Sequence, residues 1–211
     1  IPAGAGEQDI RLLRALGGES DSPSRQLARY IRETAARYLP RSFAPKMVFR
    51  RDRFLRGGDH IAFNEAGFAA VRFTEYREDY RHQHQNPRTE NGIEYGDLPK
   101  FVDFDYLANV ARLNTAVLAA LASAPAAPGK VRLLTNRLEN DSTLEWEASP
   151  GAASYEVLWR PTQAAEWENV VPVGNVTRAT LPRSKDNVFF AVRSLDRKGH
   201  RSLPIVPEPE R

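Results

Sequence analysis

Two stretches of the chain carry apolar residues at helical spacing, and between them lie shorter apolar runs. Leu27, Tyr30, Ile31, Ala35 and Tyr38 recur on one face, which predicts an amphipathic helix with that face buried. Ser22 before Pro23 supplies a helix start, a hydroxyl cap followed by a proline whose missing N–H costs nothing there. Pro40 ends the helix. Upstream, Gly17-Gly18-Glu19-Ser20-Asp21 reads as a polar loop. Lys46 to Arg50 is a short strand candidate, and Phe68 to Phe73 reads as a second, largely buried strand. Thr74 to Lys100 shows no periodicity, and stretches of that length in a domain are usually functional or mobile. A second long helix follows, with Leu107, Val110, Ala111, Val117, Leu118 and Leu121 assigned to its inner face. Helix, strand, loop, strand, loop, helix is half the pattern of a parallel α/β sheet. Two strands do not make a self-sufficient sheet core, so either further strands escape the pattern or a partner segment lies elsewhere.

The character of the chain changes near residue 125. Ala122 to Lys130, ASAPAAPGK, is a Pro/Ala/Gly linker, which divides the chain into residues 1–124 and 125–211. The second part carries seven evenly spaced strand signals. They are Val131 to Leu134, Thr143 to Glu147, Tyr155 to Arg160, Trp167 to Val171, Thr177 to Leu181, Val188 to Ser194 and Ser202 to Val206. Val188, Phe190 and Val192 alternate with Phe189, Ala191 and Arg193, so one face of that strand is expected to be buried. Seven short antiparallel strands in this length predict a β-sandwich.

Composition narrows the function classes. The chain of 211 residues has no Cys, which excludes disulfides, thiolate metal clusters and Cys nucleophiles. The formal charge is +3 and the basic residues form no dense block, which argues against a nucleic-acid partner. No apolar run is long enough to span a bilayer; the longest, Leu113 to Ala127, is broken by Asn114, Thr115, Ser123 and Pro125. The start, Ile1-Pro2-Ala3-Gly4, lacks Met and a basic-then-apolar leader, and is expected to continue a longer polypeptide.

Two segments hold candidate chemistry. Arg53 to Glu75 is a Gly-hinged loop carrying Asp59 and His60, followed by a strand ending in Glu75; loops at the carboxyl ends of parallel strands are where α/β sheets place their sites. Asp59 and His60 read equally as an orienting pair or as a turn carboxylate beside a packed imidazole. Glu78 to Gln85 gathers His82 and His84, yet zinc takes three or four ligands and no second His cluster exists, so on its own this reads as a polar surface loop. His200, in the last turn of the sandwich, reads as structural or exposed.

The second part resembles a fibronectin type III module. Trp146, the Tyr155-Glu156-Val157-Leu158-Trp159 run, Phe190-x-Val192 and Asp196 to Gly199 followed by Ser202 carry the likeness. Val188 stands where such modules usually carry a corner-pinning Tyr. Residues from about Ser20 to Ala124 resemble the C-terminal half of the catalytic domain of the co-catalytic zinc aminopeptidases, with their glutamate carboxypeptidase and glutaminyl cyclase relatives. The matching pieces are Ser22 to Tyr30, Asp52 to Phe63, Gly67 to Glu75 and the His-bearing loop, with Gly58 replacing the Ser of the family's Ser-Asp-His loop. Leu55 occupies a position where several members carry a Tyr.

The resemblance implies an α/β fold, a partial mixed-sheet zinc-peptidase domain, followed by an all-β fibronectin type III-like sandwich. It implies two zinc ions as cofactor, activating a water that attacks a peptide substrate. His84 is the implied metal ligand, with His82 the alternative, and Asp59 supports the site. The first His, the bridging Asp, the Glu pair and the last Asp would precede Ile1. The implied partner is therefore the N-terminal half of the catalytic domain, with a homo-oligomer as a further possibility and a secreted or periplasmic location. Residues 1–211 alone are expected to be inactive and to hold no stoichiometric zinc. The alternative function is a binding module that presents Trp159, Trp167 and Arg160 on the sandwich surface.

Overall fold

The first helix, α1, runs Pro23–Tyr38 and starts as the sequence dictates: Ser22 caps it, accepting from the Arg25 N–H at 3.4 Å, and Pro23 opens the first turn. Leu39 leaves the helix in an extended conformation before Pro40. This computed structural model describes residues 6–8, 21–50 and 57–210. The expected loop at Gly17 to Ser20, and Leu55 with its neighbours 51–56, lie outside the described residues. The short helix α2 spans His60–Glu65, and α3 spans Phe104–Ser123, where the Asp103 carboxylate accepts from the Tyr106 N–H at 2.9 Å.

Helices α1 and α3 pack together around Tyr30, Ile31, Ala35, Leu113 and Val117, with Phe43, Val71, Phe73 and Leu203 closing the cluster. Two sequence expectations need correcting here. Tyr38 is 56% exposed, because the buried face of α1 turns instead through Gln26, Arg29 and Thr34. On α3 the buried line runs through Leu113 and Val117, four residues apart, leaving Leu107 and Leu118 exposed.

Lys46 to Phe49 and Phe68 to Glu75 are assigned no regular structure, and neither forms a ladder with another strand among the described residues. Their apolar runs fit strands, but a strand exists only by pairing its backbone with a neighbour. The unpatterned stretch after Thr74 is more ordered than expected. Strands β1 (Arg88–Glu90) and β2 (Ile93–Tyr95) form a hairpin across Asn91 and Gly92, whose φ values are 51° and 75°. Positive φ at both central residues is the turn whose twist matches paired strands, and Asn-Gly accommodates it with little strain.

Seven strands build the second part: β3 (Gly129–Leu134), β4 (Ser142–Glu147), β5 (Ser154–Pro161), β6 (Asn169–Gly174), β7 (Arg178–Leu181), β8 (Val188–Leu195) and β9 (Glu208–Glu210). They form two sheets, β7-β4-β3-β9 and β6-β5-β8, which makes this part an all-β, fibronectin type III-like sandwich beside the helical part. Val131, Leu144, Trp146, Tyr155, Val157, Phe190 and Val192 fill the space between the sheets. Val188 joins that core, and a different tyrosine supplies a pin: the Tyr155 hydroxyl accepts from the Ser149 N–H at 2.8 Å. The last strand departs from expectation. Ser202 to Val206 contributes an isolated bridge, Ile205 to Val192, with Arg201 just before it bridging Leu195, while β9 pairs parallel with β3.

The three-stranded sheet is buried on both faces, not one. Alternate residues pointing away from the sandwich core are also buried: Leu158, Arg160, Ala191 and Arg193 are each at most 1% exposed. The cover is α1 and the segment before it. Arg160 Nη2 donates to both carboxylate oxygens of Asp21, at 2.8 and 2.9 Å, and Arg29 Nη1 donates to the same carboxylate at 3.0 Å. Trp167 Nε1 donates to Gln26 Oε1 at 2.9 Å, its ring lying beside both guanidiniums. Further along, Arg193 bridges Glu156 on the sheet and Glu33 on α1, each at 2.7 Å. The Tyr30 hydroxyl donates to the Arg201 carbonyl at 3.1 Å, and burial, with Glu33 nearby, raises that phenol's pKa. No helix among the described residues is long and apolar enough to cross a membrane.

Leu113 is fully buried where α1 meets α3, so truncation leaves a cavity. Leu113→Ala is expected to cost about 2–5 kcal/mol, read from urea denaturation, whereas Leu118→Ala on the exposed face should change the midpoint little.

Candidate functional site

Asp59 precedes α2 in a helical conformation (φ −59°, ψ −28°), makes no side-chain cap and is exposed. His60, the first residue of α2, is 8% exposed. The turn is tight because Gly58 has no side chain. A Cβ there would stand 3.0 Å from His60 Nδ1 and 3.3 Å from Arg72 Cδ. Arg72 Nη1 donates to the Gly57 carbonyl at 3.0 Å and ties the turn to the following segment. Together Gly57, Gly58, Asp59, His60, Val71 and Arg72 line an open recess of about 330 Å³.

Behind that recess Asn64 works as a staple. Its amide donates to the Ser24 hydroxyl at 3.0 Å and to the Phe68 and Ala70 carbonyls at 3.2 and 3.3 Å. The Ala70 N–H donates to the same Ser24 oxygen at 3.2 Å. Motif reading passed over Ser24 and Asn64, since neither has a chemical signature; only their place between helix and loop marks them.

The two imidazoles of the later loop differ. His82 closes a 3₁₀ turn, Tyr80–His82, that Asp79 caps by accepting from the Arg81 N–H at 3.1 Å. Its ring stacks on Phe101, with centroids 3.6 Å apart and planes 16° apart, and its Nε2 lies 3.6 Å from the Asp79 carboxylate. Its Nδ1 is buried with no hydrogen-bond partner among the described residues. His84, two residues on, is exposed and sits at φ 52°, in the left-handed region that His enters more readily than most residues. The Arg81 side chain, then its backbone N–H, hold the Asp79 carboxyl far below the usual carboxylate range.

Zinc needs three or four donors. Among the described residues no three His, Asp or Glu side chains gather as a metal site. Asp59 and His60 share one recess, but they do not join His82 or His84 in such a group. The described residues therefore make no complete zinc site by themselves; His82 Nδ1 is one buried ring nitrogen without a hydrogen-bond partner among them. His200 is structural: its ring bonds Asp196 at 2.8 Å in the final turn, and that bond draws the Asp196 pKa down.

The binding surface expected of the sandwich is not free. Arg160 is 1% exposed in its ion pair with Asp21, Trp167 is bonded to Gln26, and Trp159 packs against the sandwich core with Arg183 over its ring. These aromatic and cationic groups face inward because they build the seam and the core.

No family model matches the chain. It is 47% identical over 196 residues, 92% of its length, to a probable zinc metalloprotease of Pyrenophora tritici-repentis, and the match takes up 40% of that protein. A probable zinc metalloprotease of Leptosphaeria maculans is also 47% identical over 196 residues, covering 45% of its length. One from Pyricularia oryzae is 43% identical over 215 residues, covering 99% of this chain and 43% of that one. The chain therefore spans less than half the length of these curated relatives. Among solved structures, a fibronectin type III-like protein from Clostridium thermocellum aligns with 42% of this chain and 97% of its own, at 21% identity and a TM-score of 0.36. The FN5 domain of Drosophila Lar aligns with 40% of this chain and 98% of its own, at 19% identity and a TM-score of 0.31.

Two outcomes follow from this geometry. Gly58→Ser restores the side chain of the resembled loop and must displace His60, so the His60 Cε1–H resonance should move, with a stability loss of about 1 kcal/mol. The lowered Asp79 pKa makes its contact fully present above the ordinary carboxylate value and lost only as pH falls through the depressed one. A ¹³C titration should show Asp79 still ionised at about pH 3, below the usual Asp value near 4, and Arg81→Gln should move the titration up.

Proposed function

We propose that this chain is the C-terminal part of a zinc metallopeptidase of the co-catalytic aminopeptidase type. Residues 1–124 would complete its catalytic domain and 125–211 form an appended sandwich. The observation that carries this reading is identity of up to 47% across 92% of the chain to proteins named probable zinc metalloproteases. The Gly58-Asp59-His60 turn and the His82 loop are the local features that agree with it. Two cores, one between the sheets and one between α1 and α3, support the division at 124/125. The unladdered segments Lys46 to Phe49 and Phe68 to Glu75 support a sheet finished by other strands of a longer polypeptide.

Within this reading one imidazole of the His82/His84 pair serves as a zinc ligand. His82 is the better supported, because its Nδ1 is buried and unpartnered while its Nε2 faces Asp79. A carboxylate beside the far ring nitrogen is the usual way a ligating His is oriented and its basicity raised. Asp59 lines the recess beside His60, and a site-supporting role for it belongs to the same proposal. Zinc, when bound, supplies a Lewis acid and a water of lowered pKa. The remaining ligands and the general base are proposed to come from the rest of the protein. A peptide substrate cleaved at its N-terminus, two zinc ions and a secreted or periplasmic location belong to the same proposal.

Residues 1–211, purified alone, are expected to hold less than one zinc per chain by elemental analysis and to leave aminoacyl-nitroanilides intact. The longer protein should bind about two ions and cleave them, with His82→Ala removing more metal than His84→Ala. Two zinc ions held by residues 1–211, or an inert, metal-free longer protein, would contradict the proposal.

A further inference from the structure

The first turn of α1 has two anchors on opposite sides. On one, the Asp21 carboxylate, 3% exposed, is held by Arg160 of the sandwich and Arg29 of the helix. On the other, the Ser24 hydroxyl accepts from the Asn64 amide and the Ala70 N–H. Asp21, the cap Ser22 and Ser24 are separated by one or two residues at the start of a helix, so they move as one block. Asn64 lies in α2, the six-residue helix that begins at His60. Its amide fixes where α2 ends relative to Phe68 and Ala70. A contiguous set of contacts thus runs from the sandwich to the recess of Gly58, Asp59 and His60.

We infer that the sandwich positions this turn: Arg160, through Asp21 and Ser24, sets where Asn64 and hence His60 sit. Arg160 and Ser24 are positioning residues, and the appended sandwich braces the candidate site as well as following it in the chain. The alternative, that the sandwich only adds stability, predicts a different pattern. A purely stabilising contact would lower global stability without altering the native environment of His60. The positional coupling is a property of residues 1–211 whatever the chemistry; its bearing on catalysis rests on the peptidase reading.

The test uses residues 1–211 in the native state, below the unfolding transition. The readouts are the His60 ring resonances and the amide exchange rate of Ala70, with the Val157 amide of the sandwich core as the control. Ser24→Ala should speed Ala70 exchange at least tenfold and shift His60, and Ser24→Thr, which keeps the hydroxyl, should restore both. Arg160→Gln should do the same from the far side of the seam, with Ala70 exchange accelerated by a larger factor than Val157 exchange. Combined, Ser24→Ala and Arg160→Gln should displace His60 no further than the larger single change. If Arg160→Gln does not fold, Arg160→Lys, which keeps the charge and loses the paired contact, should give a smaller effect of the same sign. Unchanged Ala70 exchange and His60 resonances in a folded Arg160 variant would overturn the inference, as would additive shifts in the double variant. None of these readouts needs zinc or substrate, so failure here would leave the peptidase proposal standing, and failure of that proposal would leave this one.

Discussion

One carboxylate shared by two guanidiniums holds the two halves of this structure in register. Asp21 takes hydrogen bonds from Arg160 and Arg29, and Gln26 adds a third at 3.3 Å. All three ionic side chains are at most 4% exposed. Such a cluster contributes little net stability, because desolvating each ion offsets most of the attraction. Burial lowers the Arg29 pKa, the largest influence on it, with Asp21 opposing. The worth of the cluster lies in selectivity. Removing one partner strands a buried charge, at a cost of about 3–5 kcal/mol, so only one docking of α1 on the sheet satisfies all three. The carbonyls of Ala164 and Ala165 after β5 accept from Arg160 Nη1 and Arg29 Nε, which fixes the helix against one turn of the sandwich.

The docking explains the burial of the β6-β5-β8 sheet. An isolated fibronectin type III-like unit would solvate the outer face of this sheet, and alternation along β8 is the mark of such a half-buried strand. Here that outer face carries Arg160, Arg193 and Glu156, whose charges would suit water, and α1 covers them instead. Their partners come from α1 and the residues just before it: Asp21 meets Arg160 and Glu33 meets Arg193. Leu203, which leaves the sandwich, joins the apolar cluster of α1 and α3. A seam made of paired charges with a small apolar centre behaves as a specific joint, unlike a flexible tether between beads.

Local chemistry was legible in the sequence, and long-range partnership was not. Ser22-Pro23 starts α1 and alternation places β8, because each depends on neighbours within a few residues. The Asn91-Gly92 hairpin was equally local; its signal was present, but the flanking strands are three residues each and charged, too short to stand out as a period. Lys46 to Phe49 and Phe68 to Phe73 show the opposite failure. Their composition suits strands, but no ladder forms among the described residues, and a composition cannot state which neighbour it needs. Arg160 and Trp167 look like surface binding groups in any one-dimensional reading, since the carboxylate and amide that consume them lie about 140 positions away.

The candidate site follows the same division. Loop length alone separates His82 from His84 poorly, as the two differ by one intervening residue. What distinguishes them is a turn: the Asp79 carboxylate caps the 3₁₀ segment, fixes Arg81 and His82, and leaves the His82 ring flat on Phe101. A ring stacked in this way has lost its rotational freedom before any ligand arrives, which lowers the entropy cost of using it as a donor. His84, exposed in left-handed backbone, retains that freedom. A site assembled from distant segments needs each arm rigid in advance, because an arm ordered only by the metal spends binding energy on its own immobilisation. Under the proposed metallopeptidase reading that criterion favours His82 as the donor, and the inferred bracing of the Gly58 turn through Ser24 against the sandwich would meet the same demand for rigidity.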